Sequence, residues 1–250
     1  YKPQPVRRKE IQKENGKMRP LGIPTIRDRL IQQCILQILE PICEAKFHKH
    51  SYGFRPNRNT SHAIARANFL INCNKMYYCV DIDIKGFFDN VNHGKLLKQM
   101  WTLGIRDKKV ISIISKILKS EIKGEGIPTK GTPQGGIISP LLSNIVLNEL
   151  DWWLSDQWLT FETEKEYSYD RNKSRSLRKT KLKEIYHVRY ADDFKIFCKD
   201  FKTAQRIYIA TVNWLRERLG LEINESKSKI VNLRNNYSEF LGFKFKAVDR

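Results

Sequence analysis

The chain has 250 residues, of which 46 are Lys or Arg and 27 are Asp or Glu, so its formal net charge is +19. A chain of this length can bury a substantial core, and its recurring aliphatic and aromatic residues exclude a disordered protein. No apolar run approaches the ~20 residues that a membrane-spanning helix needs. The large positive charge favours a polyanionic partner, such as nucleic acid, over a membrane surface.

The cysteines and the ends of the chain indicate its setting. Five cysteines are scattered through apolar stretches without a CxxC pair, which predicts a reducing compartment, buried thiols and neither a zinc site nor a disulfide framework. The chain begins at Tyr1 instead of a methionine and stops at Arg250 directly after a strand pattern. We therefore expect it to be an excerpt of a longer protein.

The first half of the chain predicts a strand-rich opening followed by helices. Residues 2–29 are basic and punctuated by Pro and Gly, which is typical of extended strands and turns. Apolar residues at helical spacing predict a helix over 30–42, and Asn59-Thr60-Ser61 offers an N-cap for a second helix that ends near Leu70. A buried strand is predicted over 76–84, with helices over 95–101 and 108–120.

The second half of the chain predicts a mixed α+β fold, with helices on one face of a sheet. A glycine-rich loop over 124–136 leads to a helix that begins at Ser139-Pro140 and ends near Trp153. Residues 155–184 are charged and predict a surface insertion, which is either a solvated loop or an RNA-contacting one. The remaining predicted elements are strands over 185–190 and 194–198, a helix over 203–219, a short strand over 221–223 and an aromatic hairpin ending at Phe245.

Two aspartates interrupt the apolar strand predicted over 76–84. Side chains alternate along a strand, so Asp81 and Asp83 share one face while Val80, Ile82 and Ile84 share the other. Burying a carboxylate costs several kcal/mol unless it is paired or binds a cation. The pattern therefore indicates a compensating positive charge.

A second pair of aspartates follows in Tyr190-Ala-Asp-Asp193, between two apolar strands. Alone it would be an ordinary hairpin turn. If the strand of Asp83 pairs beside this hairpin, however, three carboxylates converge, and like charges that close need cations among them. Two Mg²⁺ ions about 3.5–4 Å apart would meet that need and would stabilise both the attacking and the leaving oxygen of a phosphoryl transfer. The all-aspartate donor set excludes zinc-type chemistry and favours a nucleoside triphosphate and a nucleic-acid 3′-hydroxyl as co-ligands.

Six segments, in this order along the chain, resemble the reverse transcriptases encoded by bacterial and organellar group II introns, which also act as splicing maturases. They are Arg19-Pro-Leu-Gly-Ile-Pro24, Tyr52-Gly-Phe-Arg-Pro-Asn57, Asp83-Ile-Lys-Gly-Phe-Phe-Asp89, Gly131-Thr-Pro-Gln-Gly-Gly136, Tyr190-Ala-Asp-Asp193 and Phe240-Leu-Gly-Phe243. The resemblance implies a right-hand polymerase with fingers over residues 1–78 and a palm over 79–250. The palm would be an antiparallel sheet with helices on one face and a basic insertion near 155–184, and the thumb is expected to lie outside the chain.

The resemblance implies an RNA-directed DNA polymerase that uses two Mg²⁺ ions, or Mn²⁺ in their place, to add dNTPs to a primer 3′-hydroxyl. The implied partners are an RNA template, a DNA primer and an intron RNA bound for splicing and retrohoming. No membrane is implied, the expected location is the bacterial cytoplasm including the nucleoid, and a homodimer stays open.

Two other functions stay open on this sequence: a CRISPR-associated reverse transcriptase of the group II type, and a non-catalytic RNA-binding maturase. Residues 19–25 and 131–136 argue against retron, diversity-generating and viral polymerases, and the retained aspartates argue against a degenerate site.

By the same resemblance, Asp83, Asp192 and Asp193 are the catalytic residues and, with the backbone of Ile84, hold the metal. Asp81 is expected instead to pair with a neighbouring Lys or Arg. Asp89 is expected to cap the helix that follows it.

Further residues take substrate roles by resemblance. Lys13 and Arg19 would clamp the triphosphate, with plain surface charge as the alternative. Phe87 would exclude a ribose 2′-hydroxyl while Phe88 packs inward, and the two exchange roles if the turn geometry differs. Lys227 would act as a general acid toward pyrophosphate.

Three segments are predicted to contact the nucleic acid: a glycine-flanked loop that also reaches the incoming nucleotide, a basic segment on the template track, and an aromatic hairpin that resembles a primer grip. The hairpin has a second interpretation as an aromatic core strand. The predicted nucleic-acid contacts are, in that order, Gly135 and Gly136; Arg55 and Arg58; and Phe240, Leu241 and Gly242, whereas Gln134 of the first loop is predicted to bind the substrate nucleotide.

Overall fold

A computed structural model describes residues 1–12, 16 and 18–248 of the chain. These residues form two compact units whose segments alternate along the sequence. The first unit comprises Tyr1–Phe47, Gly86–Leu147 and Leu219–Leu221, and the second comprises His48–Lys85, Asn148–Arg218 and Glu222–Arg250. The fingers and palm boundary at residue 78 stays a prediction, because the two units interleave instead of dividing there.

The first unit opens with the predicted strands. β1 (Arg7–Gln12) and β2 (Met18–Ile23) form an antiparallel hairpin, and α1 (Ile26–Glu44) follows directly. Helix α1 begins earlier than the apolar spacing predicts because the Thr25 hydroxyl accepts a hydrogen bond from the Asp28 backbone N–H at 3.3 Å and so caps it.

Three further helices of the first unit are α3 (Phe87–Asn90), α4 (His93–Thr102) and α5 (Lys108–Leu118). The prediction that Asp89 caps a helix is wrong: the Asn92 side chain caps α4 by accepting from the Lys95 N–H at 2.9 Å. Asp89 lies inside α3, and its carboxylate accepts a hydrogen bond from the Gln134 amide at 3.0 Å. Helix α6 (Ser139–Asp156), whose residues to Leu147 belong to the first unit and whose later residues belong to the second, begins at the predicted residue and runs three residues past the predicted end.

The second unit is built on a four-stranded antiparallel sheet. Its strands are β3 (Tyr78–Ile82), β4 (Ile185–Tyr190), β5 (Asp193–Cys198) and β6 (Lys229–Asn232), in the order β4-β5-β3-β6. Sequence reasoning missed β6 and wrongly predicted a strand over 221–223, where a single bridge joins Ile223 to Ile84. β6 is short and partly exposed, so its apolar pattern is weak.

Helices cover this sheet, and together they confirm a mixed α+β fold with an antiparallel sheet. α2 (Thr60–Asn72) contacts β4, and α8 (Phe201–Trp214) contacts β3, β5 and β6. Asn59 caps α2 as predicted, and a π-helical turn, Leu215–Leu219, extends α8. The aromatic hairpin is present as β7 (Ser238–Phe240) and β8 (Phe243–Phe245).

The charged segment 155–184 is not a solvated loop throughout. It contains α7 (Asp170–Leu177), and its last residue, Glu184, is buried. The Glu184 carboxylate accepts hydrogen bonds from Arg178 at 2.7 Å and from Lys199 at 2.6 Å, which fixes the end of the segment to the sheet. Most of the other basic residues in 171–183 are exposed.

Two smaller findings complete the fold. Cys34 and Cys73 are exposed, contrary to the expectation of buried thiols, whereas the other three cysteines are buried. Within the described ranges, no helix combines the length and the apolar character that crossing a bilayer requires.

Candidate active site

Asp83 and the Asp192–Asp193 pair meet at one end of the sheet. β3 pairs antiparallel with β5 so that Ile82 lies opposite Phe194, which brings Asp83, the residue that follows β3, beside Asp193. Asp83, Asp192 and Asp193 all line one cleft of about 650 Å³. The structure therefore gathers the three carboxylates that the sequence singled out.

The backbone around Asp83 is fixed, whereas its side chain is not. Its N–H donates to the Ser228 hydroxyl at 3.1 Å, and its carbonyl accepts from the Asn224 N–H at 2.7 Å. The Lys227 ammonium lies 3.8 Å from the Asp83 carboxylate, and both side chains are well exposed. An exposed pair of this kind adds little stability and rearranges easily, so the carboxylate is accessible to a competing cation.

Three other carboxylates lie near Asp193 in the cleft. Desolvation raises the pKa of Asp193 to about 6, and repulsion from Asp81, Asp192 and Asp83 adds to this, while Lys195 opposes it. Asp193 is exposed as a whole residue, although desolvation of its carboxyl group is the largest cause of the raised pKa. A cation placed among these carboxylates would relieve that repulsion.

Asp81 is paired with a buried lysine, which confirms the expectation that it would find a basic partner. Lys195 donates to the Asp81 carboxylate at 2.7 Å, and the Ser238 hydroxyl donates to it at 2.9 Å. The Lys195 ammonium also lies 5.4 Å from the centroid of the Phe240 ring. Asp81 is thus neutralised by the protein itself, although it lies on the same strand face as Asp83.

The turn that carries Asp192 is backed by a glycine to which sequence reasoning assigned no role. Ala191 has a φ of 58°, a left-handed conformation that costs an alanine about 1–2 kcal/mol. A Cβ on Gly53 would lie 2.2 Å from the Ala191 nitrogen, so only glycine fits there. The Tyr52 N–H donates to the Arg189 carbonyl at 2.8 Å and holds the two segments together. A glycine inside an otherwise bulky segment, Tyr52–Asn57, was the available signal.

The two adjacent phenylalanines have the opposite orientations to those first predicted. Phe87 is buried, with 2% of its surface exposed, whereas Phe88 is only half-buried. Gly86, the N-cap residue of α3, has a φ of 54°, a left-handed conformation that glycine adopts without strain. The burial of Phe87 contradicts the expectation that Phe88 packs inward, and the alternative in which the two exchange roles makes Phe88 the candidate for the sugar gate, which stays a prediction.

The glycine-flanked loop is packed against its own unit. A Cβ on Gly135 would lie 2.9 Å from the Gly22 carbonyl oxygen, and one on Gly136 would lie 2.7 Å from the Ser139 hydroxyl. The Gln134 carbonyl accepts from the Gly22 N–H at 2.7 Å. Gly135 and Gly136 thus allow other parts of the same unit to pack closely against the loop, and their contact with nucleic acid stays a prediction.

The two arginines of the basic segment differ in their surroundings. Arg55 is buried and donates to the carbonyls of His48 and Ser51, both at 2.8 Å, so it braces its own loop. Arg58 is exposed, and it donates to the Lys49 carbonyl at 2.7 Å and lies 5.7 Å from the Tyr52 ring centroid. A template contact is easier to reconcile with Arg58 than with Arg55, and for both it stays a prediction.

The aromatic hairpin lies at the cleft. Leu241 and Gly242 line it together with the aspartates, and both have a positive φ, of 53° and 81°. Phe240 is buried, with 1% of its surface exposed. The hairpin is therefore both a core element, through Phe240, and a wall of the cleft, through its turn.

Of the predicted triphosphate clamp, Lys13 lies outside the described residues. The backbone of Arg19 pairs with Ile11 in the β1–β2 hairpin, and its side chain is likewise outside what the structure describes. The clamp stays a prediction.

The chemistry of the cleft suits a divalent cation that is shared with a substrate. Among the described residues, no group of three or more His, Cys, Asp or Glu side chains is arranged to hold a metal ion by itself. Mg²⁺ is commonly bound by only one or two carboxylates together with substrate phosphates and water. Asp83 and Asp192 supply these two carboxylates, and the repulsion among the carboxylates around Asp193 favours a cation beside them. The carbonyl of Ile84 is a further oxygen donor next to Asp83 in sequence.

Comparison with known proteins adds to this geometry. The family model described as "Reverse transcriptase (RNA-dependent DNA polymerase)" matches residues 11–245. The chain is 37% identical over 256 residues to protein YkfC of Escherichia coli K12, a match that covers 97% of this chain and 67% of YkfC. It is 35% identical over 285 residues to the group II intron-encoded protein LtrA of Lactococcus lactis, covering 97% of this chain and 47% of LtrA. The chain therefore spans about half the length of LtrA.

The fold is also similar to that of telomerase. The structure of apo telomerase from Candida tropicalis superimposes with a TM-score of 0.66 at 14% sequence identity, over 98% of this chain and 48% of the telomerase. Telomerase from Candida albicans gives a TM-score of 0.62 at 13% identity, over 98% of this chain and 45% of that one. At such low identity the similarity concerns the fold alone.

Proposed function

Because the chain belongs to the reverse transcriptase (RNA-dependent DNA polymerase) family, as the six sequence segments predicted, we propose that it copies an RNA template by adding dNTPs to the 3′-hydroxyl of a DNA primer. The observation that carries the proposal is the convergence of Asp83, Asp192 and Asp193 on one cleft. We assign the sheet that bears them to the palm of a right-hand polymerase.

In this proposal Asp83 and Asp192 hold two Mg²⁺ ions, assisted by the Ile84 carbonyl and by Asp193. The ions, when bound, supply the charge that stabilises the attacking and leaving oxygens of phosphoryl transfer. The chain's own contribution is to fix the carboxylates. The strand pairing of β3 with β5 sets the separation of the carboxylates, and the hydrogen bonds of the Asp83 backbone set its orientation.

Other residues take supporting roles, and of these Lys227, Leu241 and Gly242 line the cleft. The Lys227 ammonium lies 3.8 Å from the Asp83 carboxylate in an exposed ion pair, so it can turn toward a triphosphate and give a proton to the leaving pyrophosphate. The turn at Leu241 and Gly242 would seat the primer end. Phe88 would exclude a ribose 2′-hydroxyl, and Mn²⁺ would substitute for Mg²⁺.

The test is primer extension on a homopolymer RNA template by three aspartate-to-asparagine variants of the purified protein. Asp83→Asn and Asp192→Asn should abolish Mg²⁺-dependent extension while RNA binding stays within about twofold, since one metal ligand is lost without a change of shape. Asp200→Asn is the matched control, because asparagine caps α8 as well as aspartate does and the residue does not line the cleft. Wild-type extension by either cleft variant would remove the assignment of the metal site.

We further propose that the protein binds an intron RNA for splicing and retrohoming. The supporting observations are the net charge of +19, the exposed basic residues of 171–183 and the similarity to the intron-encoded LtrA. A non-catalytic maturase would bind that RNA and fail to extend a primer. A CRISPR-associated enzyme would extend a primer without binding an intron RNA selectively, so the two assays together separate the three functions.

A further inference from the structure

We propose that Arg189 is a positioning residue for the polymerase reaction and that the buried Asp151 is its anchor, the two together setting the conformation of the turn that presents Asp192 and Asp193. The inference rests on the function proposed above. Neither residue belongs to the predicted site, and they lie 38 residues apart in the sequence.

The pair forms a fully buried, forked ion pair. Arg189 Nε donates to the two Asp151 carboxylate oxygens at 2.8 and 3.0 Å, and its Nη2 donates to Oδ2 at 2.6 Å. Each side chain exposes only 1% of its surface. Such a buried ion pair is weak evidence for stability, because apolar residues of similar volume often serve the fold as well or better. Its presence therefore points to a role in geometry.

The third nitrogen of the guanidinium, Nη1, contacts the turn that presents Asp192 and Asp193. Arg189 Nη1 donates to the Ala191 carbonyl oxygen at 2.6 Å, which fixes the peptide group that leads into Asp192. Ala191 is the strained, left-handed residue of this turn, with a φ of 58°. A strained residue persists only when its surroundings over-determine it, and such residues cluster at functional sites. The Arg189 guanidinium supplies that constraint from inside the protein.

The anchor is itself held in place. Asp151 is 0% exposed and projects from α6, and the His187 ring nitrogen Nε2 lies 3.5 Å from its carboxylate. Burial opposes ionisation of Asp151, but the charge of Arg189 and the contact with His187 outweigh it and keep the pKa of Asp151 well below its ordinary value. The backbone is fixed as well, because the Arg189 N–H donates to the His50 carbonyl at 3.0 Å. The guanidinium therefore has one available orientation.

The test separates positioning from stability. Replacing the whole pair in the double variant Asp151→Leu/Arg189→Met removes both charges together, so unfolding in urea should stay near the wild-type midpoint. The hydrogen bond to Ala191 is absent from the same variant, so kcat for primer extension should fall about 10- to 100-fold, as expected for a misplacement of about 1 Å. KM for dNTP and the affinity for primer–template should stay within about twofold. Arg189→Lys, which keeps the charge but has a single donor nitrogen in place of the guanidinium fork, should retain more of kcat than the double variant.

A matched pair in the same unit serves as the control. Arg178 and Glu184 also form a forked ion pair on a buried carboxylate, with donor–acceptor distances of 2.9 and 2.7 Å, but it ties the end of the charged segment instead of the catalytic turn. The variant Glu184→Gln, which removes the charge of that carboxylate and leaves Arg178 in place, should keep wild-type kcat. If the Asp151/Arg189 double variant is stable and retains wild-type kcat, the inference is overturned.

Metal binding can be measured without catalysis, so it distinguishes a failure of the positioning inference from a failure of the proposed polymerase function. Mn²⁺ binding, followed by electron paramagnetic resonance, should weaken about tenfold in the Asp151/Arg189 double variant and stay unchanged in the control. If the wild-type protein binds Mn²⁺ but extends no primer, the proposed function fails while this arm still tests the positioning of the turn. Unchanged Mn²⁺ affinity in the stable double variant would also overturn the inference.

Discussion

Replacing Gly53 by alanine tests whether the backbone behind Asp192 must keep its place. An ideal Cβ at residue 53 lies 2.2 Å from the Ala191 nitrogen and 2.9 Å from the Tyr190 carbonyl carbon, whereas ordinary contacts begin at 3.4 Å. The two segments must therefore separate by about 1 Å, and no side-chain rotation can relieve the clash because both neighbours are backbone atoms.

Two losses of different size should follow from Gly53→Ala. Overpacking of this kind costs about 1–3 kcal/mol in the free energy of unfolding. A displacement of about 1 Å at reacting groups can cost about 10²-fold in rate, so kcat for primer extension should fall by about that factor. The affinity for primer–template should change little, because the cleft keeps all of its side chains.

The assay pairs urea unfolding with steady-state primer extension, and Gly94→Ala is its control. A Cβ on Gly94 meets only the Asn92 side chain at 3.4 Å, and the residue lies inside α4. Alanine there should stabilise the protein by about 0.5–1 kcal/mol and leave kcat unchanged. A Gly53→Ala variant with wild-type kcat and an unaltered unfolding midpoint would refute the role given to the close approach between Gly53 and Ala191.

Three other predictions concern separate parts of the chain. Phe88→Ala should increase incorporation of rNTPs relative to dNTPs, as measured by competitive incorporation. Phe87→Ala should leave that ratio unchanged and, because Phe87 is buried, should lower the free energy of unfolding by about 3–5 kcal/mol. Burial and repulsion from nearby charges lower the pKa of His48 to about 3, so its stabilising effect is complete above pH 6.5 and disappears as the pH falls toward 3. At pH 5 the loss is about 2 kcal/mol, and unfolding of His48→Gln should be less pH-dependent between pH 6.5 and 4.5. Neutralising the exposed basic residues of 171–183 should weaken RNA binding. The slope of log K against log salt concentration should become less negative by about 0.7–0.9 for each phosphate that the segment no longer neutralises. An unchanged slope would indicate that the segment does not contact the RNA.

The sequence predicted the central sheet well where local pattern decides the structure. Alternation places Asp81 and Asp83 on one face of β3, and an Asp-Asp turn between two apolar runs makes β4 and β5 a hairpin. β6 escaped prediction because four residues, two of them polar, carry too little periodicity, and its place beside β3 depends on pairing with residues far away in sequence. The local sequence pattern was therefore enough to place the carboxylates on β3 and on the β4–β5 hairpin, whereas the pairing of β6 with β3 could not be predicted from it.

Errors arose where neighbouring residues compete for one role. Asp89 and Asn92 are both good helix caps, and only the path of the chain between α3 and α4 decides for Asn92. Phe87 and Phe88 are equally suited to the core by residue type, and only the folded chain shows that Phe87 is the buried one. In both cases the residue types allow either choice, and the path of the folded chain decides between them.

The same limit separates Asp81 from Asp83, which composition and alternation treat alike. Asp81 receives a buried ammonium from Lys195 and a hydroxyl from Ser238, so its charge is already balanced inside the protein. Asp83 faces only the exposed ammonium of Lys227 across 3.8 Å, among the described contacts of its carboxylate. A cation entering the cleft with a triphosphate can displace that weak pair at little cost, whereas displacing Lys195 would leave a buried lysine without its partner. The preference for Asp83 as a metal ligand thus follows from what neutralises each carboxylate beforehand, a property of the folded chain that two aspartates on one strand face do not reveal.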